Sequence, residues 1–177
     1  MTTALLKTKH DKLFDLLDHN GNGTIEREDF DRLAADLVRA GTDNPHAPTA
    51  EAVFRTYHRT FERFVAHVDT DGDGVIDRAE FHAAMATRAD REARFDDIWG
   101  PTCDVEFDNV DVDGDGRLDR AEFAALMAGF GQTAETASRA FDLLAPNGFL
   151  TREAYYHAWK TYVSSDDDSA DANAMMA

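Results

Sequence analysis

The sequence predicts an all-α protein of four helix–loop–helix units, set in two pairs within one compact domain. Three observations predict it. A twelve-residue acidic loop occurs three times in the 177 residues, and recurrence of that kind marks one supersecondary unit used repeatedly. Apolar residues return at three- and four-residue intervals on both sides of each loop, the spacing of one helix face. The chain is 43% hydrophobic with 12 Phe, enough to fill the core of a domain this long.

The loop at 111–122 shows the chemistry most fully. Asp111, Asp113, Asp115, Asp119 and Glu122 fall at positions 1, 3, 5, 9 and 12, with Gly116 at position 6 and Leu118 at position 8. A hard cation wants about 6–8 oxygen ligands. Three aspartates give one oxygen each, the carbonyl of Arg117 another, Asp119 acts directly or through water, and Glu122 gives two. Gly116 allows the sharp turn between them. This is the spacing of an EF-hand calcium loop. An acidic surface turn has no reason to fill all five oxygen positions, or to recur.

The first helix is expected over residues 4–17, with Leu6, Leu13, Phe14 and Leu17 on one face. The first loop supplies Asp18, Asn20, Asn22, the carbonyl of Thr24, Glu26 and Asp29. Two of these ligands are neutral amides, and Asp29 stands where Glu is usual. It is one methylene shorter, so this loop should hold calcium most weakly and accept magnesium relatively better. Phe30, Leu33, Leu37 and Val38 mark the exit helix, which stops near Gly41. A linker with two prolines follows, then a long helix to about Val68 capped by Thr49. The second loop fills every position with Asp69, Asp71, Asp73, the carbonyl of Val75, Asp77 and Glu80. Phe81, Ala84 and Met85 begin its exit helix.

Residues 90–110 lead to the third loop, and Gly100-Pro101 should interrupt them, since proline removes a donor and clashes with the preceding turn. Phe123, Leu126, Met127 and Phe130 follow. The fourth unit, entered by a helix capped at Thr133 and carrying Phe141, has lost its ligands. Counted from Asp142 it keeps Glu153 at position 12. Counted from Leu143 it places Gly148 at 6 and Leu150 at 8, which suits the exit helix of Tyr155, Trp159, Tyr162 and Val163 better. Neither register makes a calcium site. Ser164 to Ala177, acidic and then small, is expected to be disordered or loosely attached.

A lone helix–loop–helix unit leaves apolar faces bare, so the units should pair through their position-8 residues, Ile25 with Ile76 and Leu118 with Leu150. Residues 1–89 then form the first pair, 90–163 the second and 164–177 the tail.

Composition limits the partners. The net charge of −17 argues against nucleic acid and anionic membrane, which need a basic face. About three calcium ions, with magnesium an alternative in the same loops, would leave about −11. One cysteine forbids an intrachain disulfide. No signal peptide is expected from Met1 to Lys7, which lack a long apolar run before their charge, and no run nears the roughly 18 apolar residues of a membrane span.

The calcium loops, the long spacing between the first two, the Gly100-Pro101 pair and the opening Met-Thr-Thr-Ala together resemble calerythrin and the invertebrate sarcoplasmic calcium-binding proteins, over essentially the whole chain. That resemblance implies a bacterial, cytoplasmic calcium buffer with two packed hand pairs and one silent hand. This chain differs from calerythrin in which hand is silent: there the second loop is degenerate, here the fourth.

The expected function is therefore a monomeric intracellular calcium buffer or transporter. The alternative is a calcium sensor that opens an apolar groove to a protein partner. Sensors of that type are rich in Met, and only Met85 and Met127 lie in the expected helices. A catalytic role is not expected. The histidines form no zinc motif, Cys103 has no basic neighbour to activate it, and Trp99 and Trp159 read as core residues rather than chromophore contacts.

Overall fold

The computed structural model describes residues 3–176. Met1, Thr2 and Ala177, on which the readings of the amino terminus and of the tail's last residue rest, lie outside them. Among the described residues nine α-helices follow one another: α1 Ala4–Leu17, α2 Arg27–Gly41, α3 Pro48–Val68, α4 Arg78–Ala84, α5 Arg88–Arg94, α6 Gly100–Val110, α7 Arg120–Gly129, α8 Ala134–Leu144 and α9 Arg152–Ser164. Four two-residue strands lie in the loops: β1 Thr24–Ile25, β2 Ile76–Asp77, β3 Arg117–Leu118 and β4 Leu150–Thr151.

The strands pair antiparallel as the loops require, Ile25 opposite Ile76 and Leu118 opposite Leu150. All four of these side chains are buried. Each pair therefore shares a small apolar knot between its two loops, and the helices radiate from it. Phe30 sits at the middle of the first pair. Its ring lies 5.4 to 6.4 Å from those of Tyr57, Phe61, Phe64 and Trp99, distances at which aromatic pairs attract beyond their buried area.

The pairs meet where α2 crosses α6 and α7. A Cβ on Gly41 would lie 1.9 Å from the carbonyl oxygen of Asn109, so only glycine permits that approach. Asn109 then donates from Nδ2 to the carbonyl of Leu37 at 2.8 Å. Buried Glu106 makes a second tie. It accepts from Tyr57 Oη on α3 and Tyr155 Oη on α9, each at 2.6 Å.

The structure corrects four expectations. Thr49 does not cap α3. Pro48 opens that helix, with Ala47 at the cap position and no side-chain cap bond; a proline at the first turn sacrifices only a donor that would be unpaired there. Gly100-Pro101 does not interrupt the chain either. Residues 95–99 widen into a π-turn in which the Gly100 N–H reaches the carbonyl of Phe95. The carbonyl of Asp97, which a proline at 101 cannot serve, accepts from Arg63 Nη1 at 2.7 Å instead. One extra residue in the turn relieves the ring clash, so the helical turns run on from α5 into α6 without a break.

The third correction is the fourth loop, which fits neither register throughout. In the first three hands the position-1 residue caps the entering helix, the N–H of Asp18, Asp69 and Asp111 bonding the carbonyls of Phe14, Val65 and Phe107. In the fourth hand that role falls to Ala145, bonded to Phe141. Only five residues separate Ala145 from inward-facing Leu150, against seven from Asp111 to Leu118. Two residues are therefore missing from the loop. The exit side keeps the register counted from Leu143: Gly148, at φ 84, repeats the left-handed turn of Gly116 at φ 77. Asp142 belongs to α8 and pairs with Arg120 on α7.

The fourth is the tail. Residues Asp171–Met176 form a 3₁₀ turn packed on α8 and α9, burying Ala172, Ala174, Met175 and Met176. Two lysines of α1 hold it: Lys9 Nζ donates to the carbonyl of Ser165 at 2.6 Å and to Asn173 Oδ1 at 3.0 Å, and Lys12 Nζ to the carbonyl of Met176 at 2.8 Å. Composition pointed to disorder because the segment cannot build a core of its own; it borrows one.

Candidate metal sites

Two of the loops each bring three carboxylate oxygens to a common centre. In loop two one carboxylate oxygen each from Asp69, Asp71 and Asp73 lie within 4.8 Å of one another, and Asp111, Asp113 and Asp115 repeat this in loop three. The backbone sets the geometry before any ion enters. Gly74 N–H donates to Asp69 Oδ2 at 2.9 Å, Asp73 N–H to Asp71 Oδ1 at 3.1 Å, and Val75 N–H to Asp73 Oδ1 at 3.0 Å. Loop three has the same set, Gly116 to Asp111 Oδ2 at 3.0 Å, Asp115 to Asp113 Oδ1 at 3.1 Å and Arg117 to Asp115 Oδ1 at 2.8 Å. Asp69 accepts a second bond, from Gly72 N–H to Oδ1 at 2.7 Å, and every aspartate of the two loops still keeps lone pairs for a cation.

The position-12 glutamates are already folded back over their loops. Glu80 accepts from Thr70 N–H at 2.7 Å and Asp77 N–H at 3.0 Å; Glu122 accepts from Val112 N–H and Asp119 N–H, both at 2.9 Å. These backbone bonds hold the Glu80 carboxyl below its usual range. Position 9 serves the helix as well as the loop. Asp77 and Asp119 each accept from the N–H three residues on, at 2.8 and 2.9 Å, capping α4 and α7. Asp111 Oδ1 is buried without a partner among the described residues. An orphaned carboxylate oxygen at position 1 of an all-oxygen set is what a hard cation would satisfy.

Loop one is built differently. Asp18 accepts from Asn22 N–H at 3.0 Å and Gly23 N–H at 2.8 Å. The amide nitrogen of Asn22 turns to Glu26, while its Oδ1 takes the N–H and hydroxyl of Thr24 at 2.9 and 2.8 Å. Asp29 is fully buried, and burial pushes its carboxyl up, opposed by bonds from Glu26 and Asn20. It grips Asn20 N–H at position 3, at 3.0 Å, whereas Glu80 and Glu122 reach position 2. The shorter side chain therefore sits deeper in the loop. Of the residues expected to give these sets a backbone carbonyl, Thr24 and Arg117 open β1 and β3, and Val75 immediately precedes β2. The fourth loop brings no such set together.

Other groups singled out in the sequence lie elsewhere. His19, inside loop one, bonds Asp36 at 2.8 Å, and His67 is exposed. Burial pushes the Cys103 thiol well above its usual range. Trp99 and Trp159 line an apolar space of about 40 Å³, far below the about 300 Å³ or more of pockets for organic ligands. The sequence reading passed over Glu106 and His10. Glu106 had a legible signal, since it lies three residues from Cys103 and four from Val110, on the apolar face of α6. His10 had none.

Comparison with known proteins agrees with this geometry. The EF-hand domain pair matches residues 7–86, and a further EF hand matches residues 104–127. Calerythrin of Saccharopolyspora erythraea is 27% identical over 103 residues, 57% of this chain and 58% of its own length. The probable calcium-binding protein CML28 of Arabidopsis thaliana is 32% identical over 81 residues, 46% of this chain and 78% of that protein. Among solved structures, a Streptomyces coelicolor calcium-binding protein studied for prokaryotic calcium-mediated regulation superposes with a TM-score of 0.79 at 24% identity, covering 90% of this chain and 98% of that one. An amphioxus sarcoplasmic calcium-binding protein gives 0.75 at 18% identity, covering 100% and 99%.

Proposed function

We propose that this chain, which belongs to the EF-hand calcium-binding family, is a calcium buffer with three metal sites, working as a monomer in the cytoplasm. Loops two and three are the strong sites, holding calcium through Asp69, Asp71, Asp73, Val75, Asp77 and Glu80, and through Asp111, Asp113, Asp115, Arg117, Asp119 and Glu122. Loop one, through Asp18, Asn20, Asn22, Thr24, Glu26 and Asp29, is the weak site and the one most open to magnesium. The fourth hand is scaffold: Leu150 completes the strand pair that supports loop three.

The single observation that carries the buffer reading is the seated tail. Met175 and Met176 are 0% and 6% exposed, packed with the rest of the tail on α8 and α9, so apolar surface of the second pair that a sensor would have to open is already covered. A buffer needs only to exchange ions, and a covered face does not hinder that. The loops' pre-set carboxylates also favour tight binding, since little ordering remains for the ion to bring about.

The sensor reading has one observation of its own. Val112, at position 2 of loop three, is 76% exposed, and Leu143 beside the fourth loop is 44% exposed. Calcium titration by calorimetry, with and without millimolar magnesium, followed by a hydrophobic dye on the same samples, separates the two. Three ions taken up with little dye signal support the buffer. A strong calcium-dependent dye signal overturns it in favour of the sensor. No described helix is long and apolar enough to cross a membrane.

A further inference from the structure

His10 on α1 and His82 on α4 lie outside the ligand sets of the calcium loops and beside the same pocket. Their ring centroids are 6.4 Å apart at an interplanar angle of 48°. With Thr3, Ala4 and Lys7 they line a pocket of about 270 Å³. His10 is 1% exposed. Its Nε2 lies 3.1 Å from the carbonyl oxygen of Val163 on α9. A carbonyl only accepts, so Nε2 carries the proton and Nδ1 keeps a bare lone pair. That Nδ1 is buried without a partner among the described residues. A buried nitrogen left without a hydrogen bond costs stability, and this one has no part in the calcium chemistry. Burial also brings the ring's pKa down to about 4, so the lone pair is free near neutral pH.

His82 repeats the arrangement. Its Nε2 lies 2.8 Å from Asp11 Oδ1. The carboxylate accepts, which places the proton of the neutral ring on Nε2 and leaves Nδ1 free. Asp11 is itself fixed, by Lys7 Nζ at 3.1 Å and Arg78 Nη1 at 3.4 Å.

We propose that His10 and His82 form a site for a borderline divalent transition metal of the zinc class, each ligating through Nδ1 and separate from the calcium loops. Histidines that bind such metals characteristically give their second ring N–H to a backbone carbonyl or a carboxylate, which fixes tautomer and orientation. Here one does each. Imidazole nitrogen suits zinc, nickel and copper, whereas calcium and magnesium take oxygen. A second imidazole and the charge of Asp11 favour a cation over a neutral donor. The open side of the pocket leaves the remaining coordination positions to water. A metal there would clamp α1 to α4 two residues beyond Glu80 of loop two, and through Val163 would reach α9 in the second pair.

The test is Zn²⁺ titrated by calorimetry into the full-length, calcium-saturated protein, where excess calcium keeps the loops filled. One saturable zinc site is expected, weakened at least tenfold in His82→Gln, with the calcium titration of that variant unchanged. His10→Gln alters a buried residue and is open to misfolding, so the share of His10 is read in the wild type. Zinc should shift the imidazole nitrogen resonances of His10 and His82 ahead of the other histidines. Zinc affinity unchanged in His82→Gln, resonance shifts confined to exposed histidines such as His58 and His157, or no saturable uptake would each overturn the proposal.

Discussion

Glu106→Leu tests what holds the two hand pairs together. Glu106 is 3% exposed and accepts two phenolic hydrogen bonds of 2.6 Å, from α3 in the first pair and α9 in the second. Leucine fills a similar volume but accepts nothing, so Tyr57 and Tyr155, both buried, are left with unpaired hydroxyls. Each unpaired buried donor costs about 1–3 kcal/mol, so the variant should lose about 2–6 kcal/mol. With a centre near 4 kcal/mol and roughly 2–4 °C per kcal/mol at this chain length, Tm should fall by roughly 8–16 °C. Glu106→Gln should fall less, because its amide oxygen still accepts from one tyrosine. The assay is thermal unfolding at fixed excess calcium, so that ion binding contributes equally to every variant. The triple variant Tyr57→Phe, Glu106→Leu, Tyr155→Phe removes both hydroxyls and should recover much of the loss, since an apolar replacement of the whole network leaves nothing unpaired. A Glu106→Leu protein as stable as wild type, or a triple variant no better than the single, would refute the argument.

Asp29→Glu should tighten the weakest calcium step by roughly tenfold, about 1.4 kcal/mol, because the longer side chain can reach the position-2 N–H as Glu80 and Glu122 do; calorimetry showing the weakest step unmoved would count against it. Glu122→Gln should reduce calcium uptake from three ions to two at micromolar calcium, leaving helicity by circular dichroism intact. Truncation after Ser164 should unseat Met175 and Met176, with a loss of about 3–6 kcal/mol from two buried side chains, and should produce a dye signal independent of calcium. His10 sets an acid limit. Burial lowers its pKa from 6.5 to about 4, so between those values the unfolded chain takes up a proton that the folded chain refuses. Stability should therefore fall as pH falls through that window and level off below it. His10→Gln should flatten that part of the unfolding profile.

The loops were legible because their chemistry is local. Twelve residues carry the whole expected ligand set, and the hydrogen bonds that orient Asp71, Asp73, Asp113 and Asp115 run over only two residues. The pairing of Ile25 with Ile76 and Leu118 with Leu150 followed from position 8 alone. The fourth loop misled because a two-residue deletion shifts its entry side against its exit side, and no single count can satisfy both. Gly100-Pro101 misled because proline forbids one bond without saying whether a π-turn and Arg63 will replace it.

The sequence by itself determined that this is an all-α protein of EF-hand units, and it located the two loops, 69–80 and 111–122, whose aspartates come together. Periodicity, turn glycines and carboxylate spacing act over one to three helical turns, and they needed nothing else. Only the tertiary structure decided that the tail is seated, that Glu106 joins the pairs, and that His10, with a bare nitrogen, lies beside His82. Those facts depend on groups far apart in the chain: Lys9 and Ser165 are 156 residues apart, His10 and Val163 are 153. Burial at such distances is set by how whole helices pack, and no local pattern records it.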